Sequence, residues 1–194
     1  MKREESTLIT KKALAASLKK YMTKKTLKKI TVSEIITDCN VNRKTFYYHF
    51  EDIYALLKWM LEQEAVEVVK QFDLLIDYKD AILFVMDYVE TNAHILNCAY
   101  DSMGRDEMKR FLCNDFYEII RRLIDDMEKS LDLNVPEDFK QFVCNLYMEA
   151  LAGTLIDAFK NRGNNDREKM LKYLSLVLHT SLPETLKQAA AILD

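Results

Sequence analysis

TVSEIITDCNVNRKTFYYHF, residues 31–50, is the stretch that decides the fold. Thr31 and Glu34 have the spacing of a capping box, which predicts a helix start and a run through Ile35 and Ile36. Asn40, Val41 and Asn42 interrupt that helix. Asn is poor in helix interiors and tolerates left-handed backbone, and Asn42 can cap a second helix. That second segment, Arg43 to Phe50, is short and dense in cations, aromatics and hydrogen-bonding groups. Helix, tight turn and polar-aromatic helix form the pattern of a helix-turn-helix, whose second helix enters the DNA major groove. Phe46 and Phe50 stand four apart and, with Val41, face the other helices. Arg43, Lys44, Tyr47 and Tyr48 then point outward, and large exposed aromatics between cations suit a phosphate backbone or base edges.

Working outward, Ser6 to Lys25 reads as a first helix with Leu8, Ile9, Ala13, Ala16, Leu18 and Tyr21 on its buried side. Leu27 and Ile30, in the link to Thr31, plug the small three-helix core. Val32 to Cys39 is the second helix, burying Val32, Ile35 and Ile36. After Phe50, the acidic pair Glu51 and Asp52 opens a lever helix to about Phe72. Ile53, Leu56, Leu57, Met60, Leu61, Ala65, Val68 and Val69 recur along it at helical spacing. No Pro or Gly lies at this junction, so head and body are mechanically joined.

Composition supports an all-α chain. Of 194 residues 49% are apolar, while Gly (three) and Pro (two) are scarce, so connections are short and a sizeable core is available. Charge is divided unevenly. Residues 1–50 carry twelve Lys/Arg against four Asp/Glu, a net of +8, which leaves −11 on the rest of a chain whose total is −3. A basic head on an acidic body suits a polyanion ligand at one end only. The four cysteines form no C-x-x-C pair and read as reduced, buried thiols. Neither a signal core nor an apolar run of membrane-spanning length is present, so the expected setting is cytoplasmic.

The rest of the chain reads as helices over Tyr78 to Asn92, His94 to Tyr100, Asp106 to Lys129, Pro136 to Lys160 and from Asp166 onward, with breaks at Gly104, at DLNVP and at N-R-G-N-N. Pro183 kinks or ends the last main helix near Ser181, and a short terminal helix, Pro183 to Leu193, follows. The whole gives about nine to ten helices, a head over 1–50 and a body over 51–194. The two helices Phe139 to Phe159 and Met170 to Leu182 are apolar around much of their circumference, as expected of central or interfacial helices. Phe142, Leu146, Ala150, Gly153, Leu174 and Leu178 are the expected dimer face, two helices per subunit making a four-helix contact.

At these residues the chain resembles the TetR family of transcriptional regulators. The resemblance rests on Ile30 to Val32, Glu34 to Ile36, Val41 to Phe50 and Leu56-Leu57, in that order and spacing. It implies a homodimer with a three-helix DNA-binding head and a C-terminal ligand-binding and dimerisation body. A repressor released by a small-molecule effector is the expected function. Carried over by position, Arg43, Lys44 and Tyr48 read base edges, and Thr31, Asn42, Thr45, Tyr47 and His49 contact phosphates. The chemistry agrees, since Arg and Lys suit guanine O6/N7 and hydroxyls suit phosphate oxygens. Two positions depart from the family pattern: Lys44 stands where a small residue is usual, and Ile53 where a Lys is favoured. The spelling Arg-Lys-Thr-Phe-Tyr-Tyr-His-Phe resembles the branch that regulates dihydroxyacetone kinase operons, some of whose members activate with a partner protein. That is the alternative function.

On family grounds, Phe84, Tyr88, Tyr100, Met103, Phe116, Tyr117 and Tyr147 are the candidates for a ligand pocket, against the plainer reading that each is core. His94 and Cys98 have the i, i+4 spacing of two zinc ligands, but without a third they predict a buried thiol near a hydrogen-bonded His and no metal. No nucleophile elbow, phosphate-binding Gly loop or H-E-x-x-H occurs, so neither catalysis nor a cofactor is expected. The expected partners are operator DNA, a second copy of the chain, and a small effector or a partner protein.

Overall fold

In a computed structural model that describes residues 2–160 and 166–192, the described chain is helical throughout, without a strand. The N-R-G-N-N turn expected at 161–165 lies outside the described residues. Helix α1 spans Lys2–Met22. A 3₁₀ turn at Leu27–Lys29 leads to α2 (Val32–Asp38) and α3 (Arg43–His49). Helix α4, residues 53–69, starts as regular α-helix at Ile53–Leu61 and includes one π turn at Glu62–Val66. The body adds α5 (Tyr78–Thr91), α6 (Ala93–Met103), α7 (Arg105–Ser130), α8 (Glu137–Lys160) and α9 (residues 167–192).

The first helix buries Leu18 and packs Tyr21 on the core as expected, but otherwise turns a different side inward. Leu14, Ala15, Leu18 and Met22 are buried, whereas Leu8 is 40% exposed, Ile9 64% exposed, and Ala13 and Ala16 face away from the fully buried row. Apolar residues lie all around α1, so spacing alone does not select a face. Leu14, Leu18 and Met22 make an unbroken i, i+4, i+8 row whose burial removes far more apolar area than two alanine methyls would.

One core runs through head and body. Leu14, Leu18, Leu27, Ile30, Ile35, Phe46 and Phe50 pack in a single cluster with Leu56, Leu57, Met60 and Leu61 of α4 and with Ile95, Ala99, Met108 and Phe111 of the body. A second cluster lies at the far end of the body. There Ile124 and Met127 of α7, Val143 and Cys144 of α8, and Leu182 and Leu186 of α9 are buried. Helices α7 and α8 form an antiparallel pair pinned by Arg121 to Glu137 (2.5 and 2.9 Å) and by Lys140 to Glu128 (2.8 Å).

Two π turns re-phase the long helices. In α4 the Glu67 amide bonds the Glu62 carbonyl five residues back. One extra residue in the turn makes Val66, not Ala65, follow Leu61 onto the buried face, and Ala65 and Val68 become half-buried. The helix ends at residue 69, shorter than the expected Phe72. In α9 the π turn Leu176–Ser181 directly precedes Pro183, whose missing N–H and ring would break an α ladder. The irregularity expected near Ser181 is this π turn, and the expected terminal helix follows it without a break, through Pro183 to Ile192.

The turn between α2 and α3 needs left-handed backbone at Asn40, where φ is +53°. Replacing Asn40 by Ala lowers stability by about 1 kcal/mol, whereas Gly leaves it nearly unchanged because Gly has no Cβ to clash there. Urea denaturation of the two variants checks this. Equal losses in both would assign Asn40 a side-chain role instead.

Candidate nucleic-acid interface

Caps built from its own sequence hold the reading segment in place. Thr31 closes the expected capping box: its hydroxyl accepts from the Glu34 amide at 3.3 Å, and the Glu34 carboxylate accepts from the Thr31 amide at 2.9 Å. Asn42 caps α3, its Oδ1 accepting from the Thr45 amide (2.8 Å) and the Thr45 hydroxyl (3.0 Å). Asp52 caps α4 through the Ala55 amide at 2.8 Å. Phe46 is fully buried and Phe50 nearly so, their rings 6.1 Å apart, and Phe50 meets Trp59 of α4 at 5.7 Å. The inner side of α3 is therefore anchored simultaneously to α1, α2 and α4.

Its outer side carries Arg43, Lys44, Tyr47 and Tyr48, with Tyr47 exposed at 49% and Tyr48 at 67%. The Arg43 guanidinium lies 5.7 Å from the Tyr47 ring centre, a cation–π contact that orders it without neutralising it. His49 is half-buried against Tyr48. Burial, reinforced by the nearby Lys11 ammonium, pushes its pKa below the ordinary value, so at neutral pH it is an uncharged hydrogen-bonding group.

The caps also change what two of the phosphate-side residues can offer. A hydroxyl has one proton to donate. The Thr31 hydroxyl gives its proton to Glu34 Oε2 (2.9 Å), and the Thr45 hydroxyl gives its proton to Asn42. Both threonines thus hold the helix ends, and a phosphate would have to displace an existing bond to receive theirs. The Asn42 amide nitrogen and the Tyr47 hydroxyl carry no such commitment to the caps. The motif alone also misses the cations beside it. Lys28 and Lys29 stand exposed on the 3₁₀ turn just ahead of Thr31, and Lys24 is exposed after α1. Their signal in the sequence is the charge asymmetry rather than any motif.

The expected pocket residues are distributed over more than one hydrophobic cluster. Tyr88, Tyr100, Met103 and Phe116 pack on the shared head–body core, Phe84 and Phe116 on Val66, Val69 and Ile119, and Tyr117 and Tyr147 on the far cluster. Phe116 and Tyr117 are neighbours on α7 and so point about 100° apart, into different clusters. The Tyr117 hydroxyl is bonded to Gln141 at 3.0 Å. An open groove of about 680 Å³ lies elsewhere, between Phe139 of α8 and residues Thr180 to Ile192 of α9, and none of the seven candidates borders it.

Of the expected dimer face, Phe142 (60%) and Leu146 (55%) are exposed, as is Ala150, and Gly153 and Leu174 are half-buried. Leu178 is buried in the far cluster and cannot share that face. The inward row on α9 is Leu178, Leu182 and Leu186, while Tyr173, Leu176 and Val177 lie outward beside Leu174. Cys98 is half-buried toward the Lys25 carbonyl rather than fully enclosed, so the pair with His94 does not form the buried thiol and histidine expected. Only Cys144 of the four free thiols is fully buried.

Comparison with known proteins gives two kinds of match. The family model described as "Transcriptional regulator C-terminal region" matches residues 77–180, more than half of the chain. The HTH-type dhaKLM operon transcriptional activator DhaS of Lactococcus lactis subsp. lactis (strain IL1403) is 23% identical over 128 residues. Those residues make up 66% of this chain and 67% of that protein. The solved structure of a dihydroxyacetone kinase operon activator DhaS superposes with a TM-score of 0.69 over 94% of this chain and 99% of its own, at 22% identity. At that identity the superposition speaks for the fold.

The Glu34 carboxylate, bonded first by Lys25 (2.5 Å) and then by the Thr31 amide and hydroxyl, is pulled from 4.5 down to about 2. A carboxylate depressed in the folded state stabilises fully above its unfolded pKa and loses that contribution as pH falls through the folded one. The stability gap between wild type and Glu34→Gln is therefore complete above 4.5 and closes as pH falls toward 2. A pH series of urea midpoints measures it, and a gap that is constant over that window would contradict the bonding described.

Proposed function

The chain belongs to the TetR family of transcriptional regulators, and from that premise we propose that it binds operator DNA as a homodimer through α3. The observation that supports this reading best is the division of α3 itself. Phe46 is buried and holds the helix, while Arg43, Lys44, Tyr47 and Tyr48 lie outward on a head whose net charge is +8, twelve Lys/Arg against four Asp/Glu. Arg43, Lys44 and Tyr48 are assigned to base edges. Tyr47, His49 and the Asn42 amide are assigned to phosphates, with Lys24, Lys28 and Lys29 adding charge, and Thr31 and Thr45 set the helix ends. Residues 1–50 act as the reading head and 51–194 as the body, a division of labour rather than of cores. The second copy packs on the face of Phe142, Leu146, Ala150, Gly153, Tyr173, Leu176 and Val177, an exposed apolar surface of the kind that marks an interface. The role is regulatory rather than catalytic. No described helix is long and apolar enough to cross a membrane.

Control divides into two readings. In the first, a small effector enters the body and releases a repressor. In the second, the chain activates a neighbouring operon together with a partner protein that binds the body. The separation of Tyr117 and Tyr147 from the other five pocket candidates favours the second, as does the name of the curated relative, an activator. Deleting the gene separates them: transcription of the neighbouring operon rises if the chain represses and falls if it activates.

Gel shifts and salt titrations test the DNA reading. With about five phosphate contacts per subunit, log K falls with log salt at a slope of about −9, and a slope of about −2 would contradict this docking. Tyr47→Phe weakens binding to all sequences by about 1 kcal/mol, whereas Arg43→Ala changes which sequence is preferred. Equal losses for Arg43→Ala on specific and random DNA would overturn its base-reading role.

A further inference from the structure

One carboxylate joins the head to the body at the point where the lever changes packing partner. N-terminal to the π turn of α4, Leu56, Leu57, Met60 and Leu61 are buried in the core shared with α1 and α3. From the π turn onward, Val66 and Val69 are buried instead against Ile119, with Phe84 and Val85 of α5 packed on them. Glu64 sits on that turn. Its Oε2 accepts from Lys19 Nζ of α1 at 2.7 Å and from the Tyr88 hydroxyl of α5 at 3.1 Å.

We propose that Glu64 is a positioning residue that latches body helix α5 to head helix α1 through Tyr88 and Lys19, and so sets the angle at which α3 is presented. The proposal rests on the DNA-binding role proposed above. Three physical points support it. Both donors meet the same oxygen, so neither α1 nor α5 can shift along α4 without breaking or stretching its bond. The side chains of Lys19 and Glu64 are each one-third exposed, so the pair is shielded more than a surface ion pair, although screening still weakens it. Burial, and then the Glu64 carboxylate, push the Tyr88 phenol well above its ordinary pKa, so it stays a neutral donor at working pH.

The π turn is what makes the latch possible. In an unbroken α-helix Glu64 would follow Leu57, Met60 and Leu61 on the face turned to the apolar core, where a carboxylate is costly. The extra residue gives the inward position to Val66 and leaves Glu64 half-buried at the seam between α1 and α5. Single π turns recur at functional sites for this kind of re-aiming. A ligand or partner that moved α5 would pull on Glu64, and through Lys19 on the helix against which Phe46 and Phe50 are packed.

The test uses the full chain as Tyr88→Phe, Glu64→Gln and the double variant. Tyr88→Phe is the decisive change, because it removes one hydroxyl in the body and alters no charge near DNA. Each single variant shifts operator Kd by about three-fold or more in the same direction, and the double shifts it no further than the larger single. Hydrogen exchange of DNA-free protein changes in α1 and α3 for both single variants, while melting midpoints stay near wild type. Wild-type operator affinity together with wild-type α1 exchange in Tyr88→Phe would overturn the latch, as would a double variant equal to the product of the singles. If the wild type shows no sequence preference, the DNA reading fails and the exchange experiment alone decides the latch. If Glu64→Gln does not fold, Tyr88→Phe decides it.

Discussion

The burial of Phe46 in the core that α1, α2 and α4 share is the constraint on which the other features of the head depend. A seven-residue helix such as α3 is too short to be stable alone, so its existence and its orientation both come from packing. Phe46 and Phe50 supply that packing, and their partners include Leu14 and Leu18 of α1 and Leu56 and Leu57 of α4. Fixing the inner side of so short a helix also fixes its outer side. Arg43, Lys44, Tyr47 and Tyr48 are presented in one orientation because the chain has no other way to bury the two phenylalanines.

The same economy governs the polar groups. The two short helices α2 and α3, and the lever α4 after them, are each closed by the side chain just before them, with Thr31, Asn42 and Asp52 accepting from amides that would otherwise be unpaired. Using a hydroxyl or an amide oxygen in a cap removes it from the inventory available to DNA. Position in a motif therefore overstates the number of direct donors. What remains is a smaller set of aromatic and amide donors surrounded by lysines, consistent with an interface whose affinity is mostly charge and whose specificity comes from a few side chains.

The head is largely legible in the sequence because its determinants are local. A capping box, a left-handed Asn and an i, i+4 phenylalanine pair act within a few residues of one another, and each appears where the spacing puts it. The face of α1 is not fully legible, because apolar residues surround that helix and the positions of α2, α4 and α6 choose among them. Nor are the two π turns. Nothing in EQEAV announces an extra residue in the turn, and as a result Val66 takes the inward place expected of Ala65 and Val68, while Val69 stays buried as its spacing suggests. Pro183 does signal an irregularity, but a local rule cannot say that a π turn absorbs it rather than ending the helix. The pocket candidates share a residue type, and residue type does not reveal that Phe116 and Tyr117 point into different clusters.

A continuous core from Leu14 to Phe111 limits how such a molecule can be controlled. A hinge between independent domains would let the body move without the head, but here burial of the same side chains stabilises both. A signal in the body can reach α3 only by re-seating packed helices or by changing the polar contacts that fix their relative angle. Re-seating is costly because close-packed interiors resist small displacements and deform between discrete arrangements. Polar contacts at a seam are cheaper to exchange: about 1.4 kcal/mol shifts a two-state balance tenfold, which is the scale of one or two hydrogen bonds. Glu64 is placed at such a seam, between the two sets of buried side chains on α4, where a small local exchange acts on the orientation of everything packed against α1.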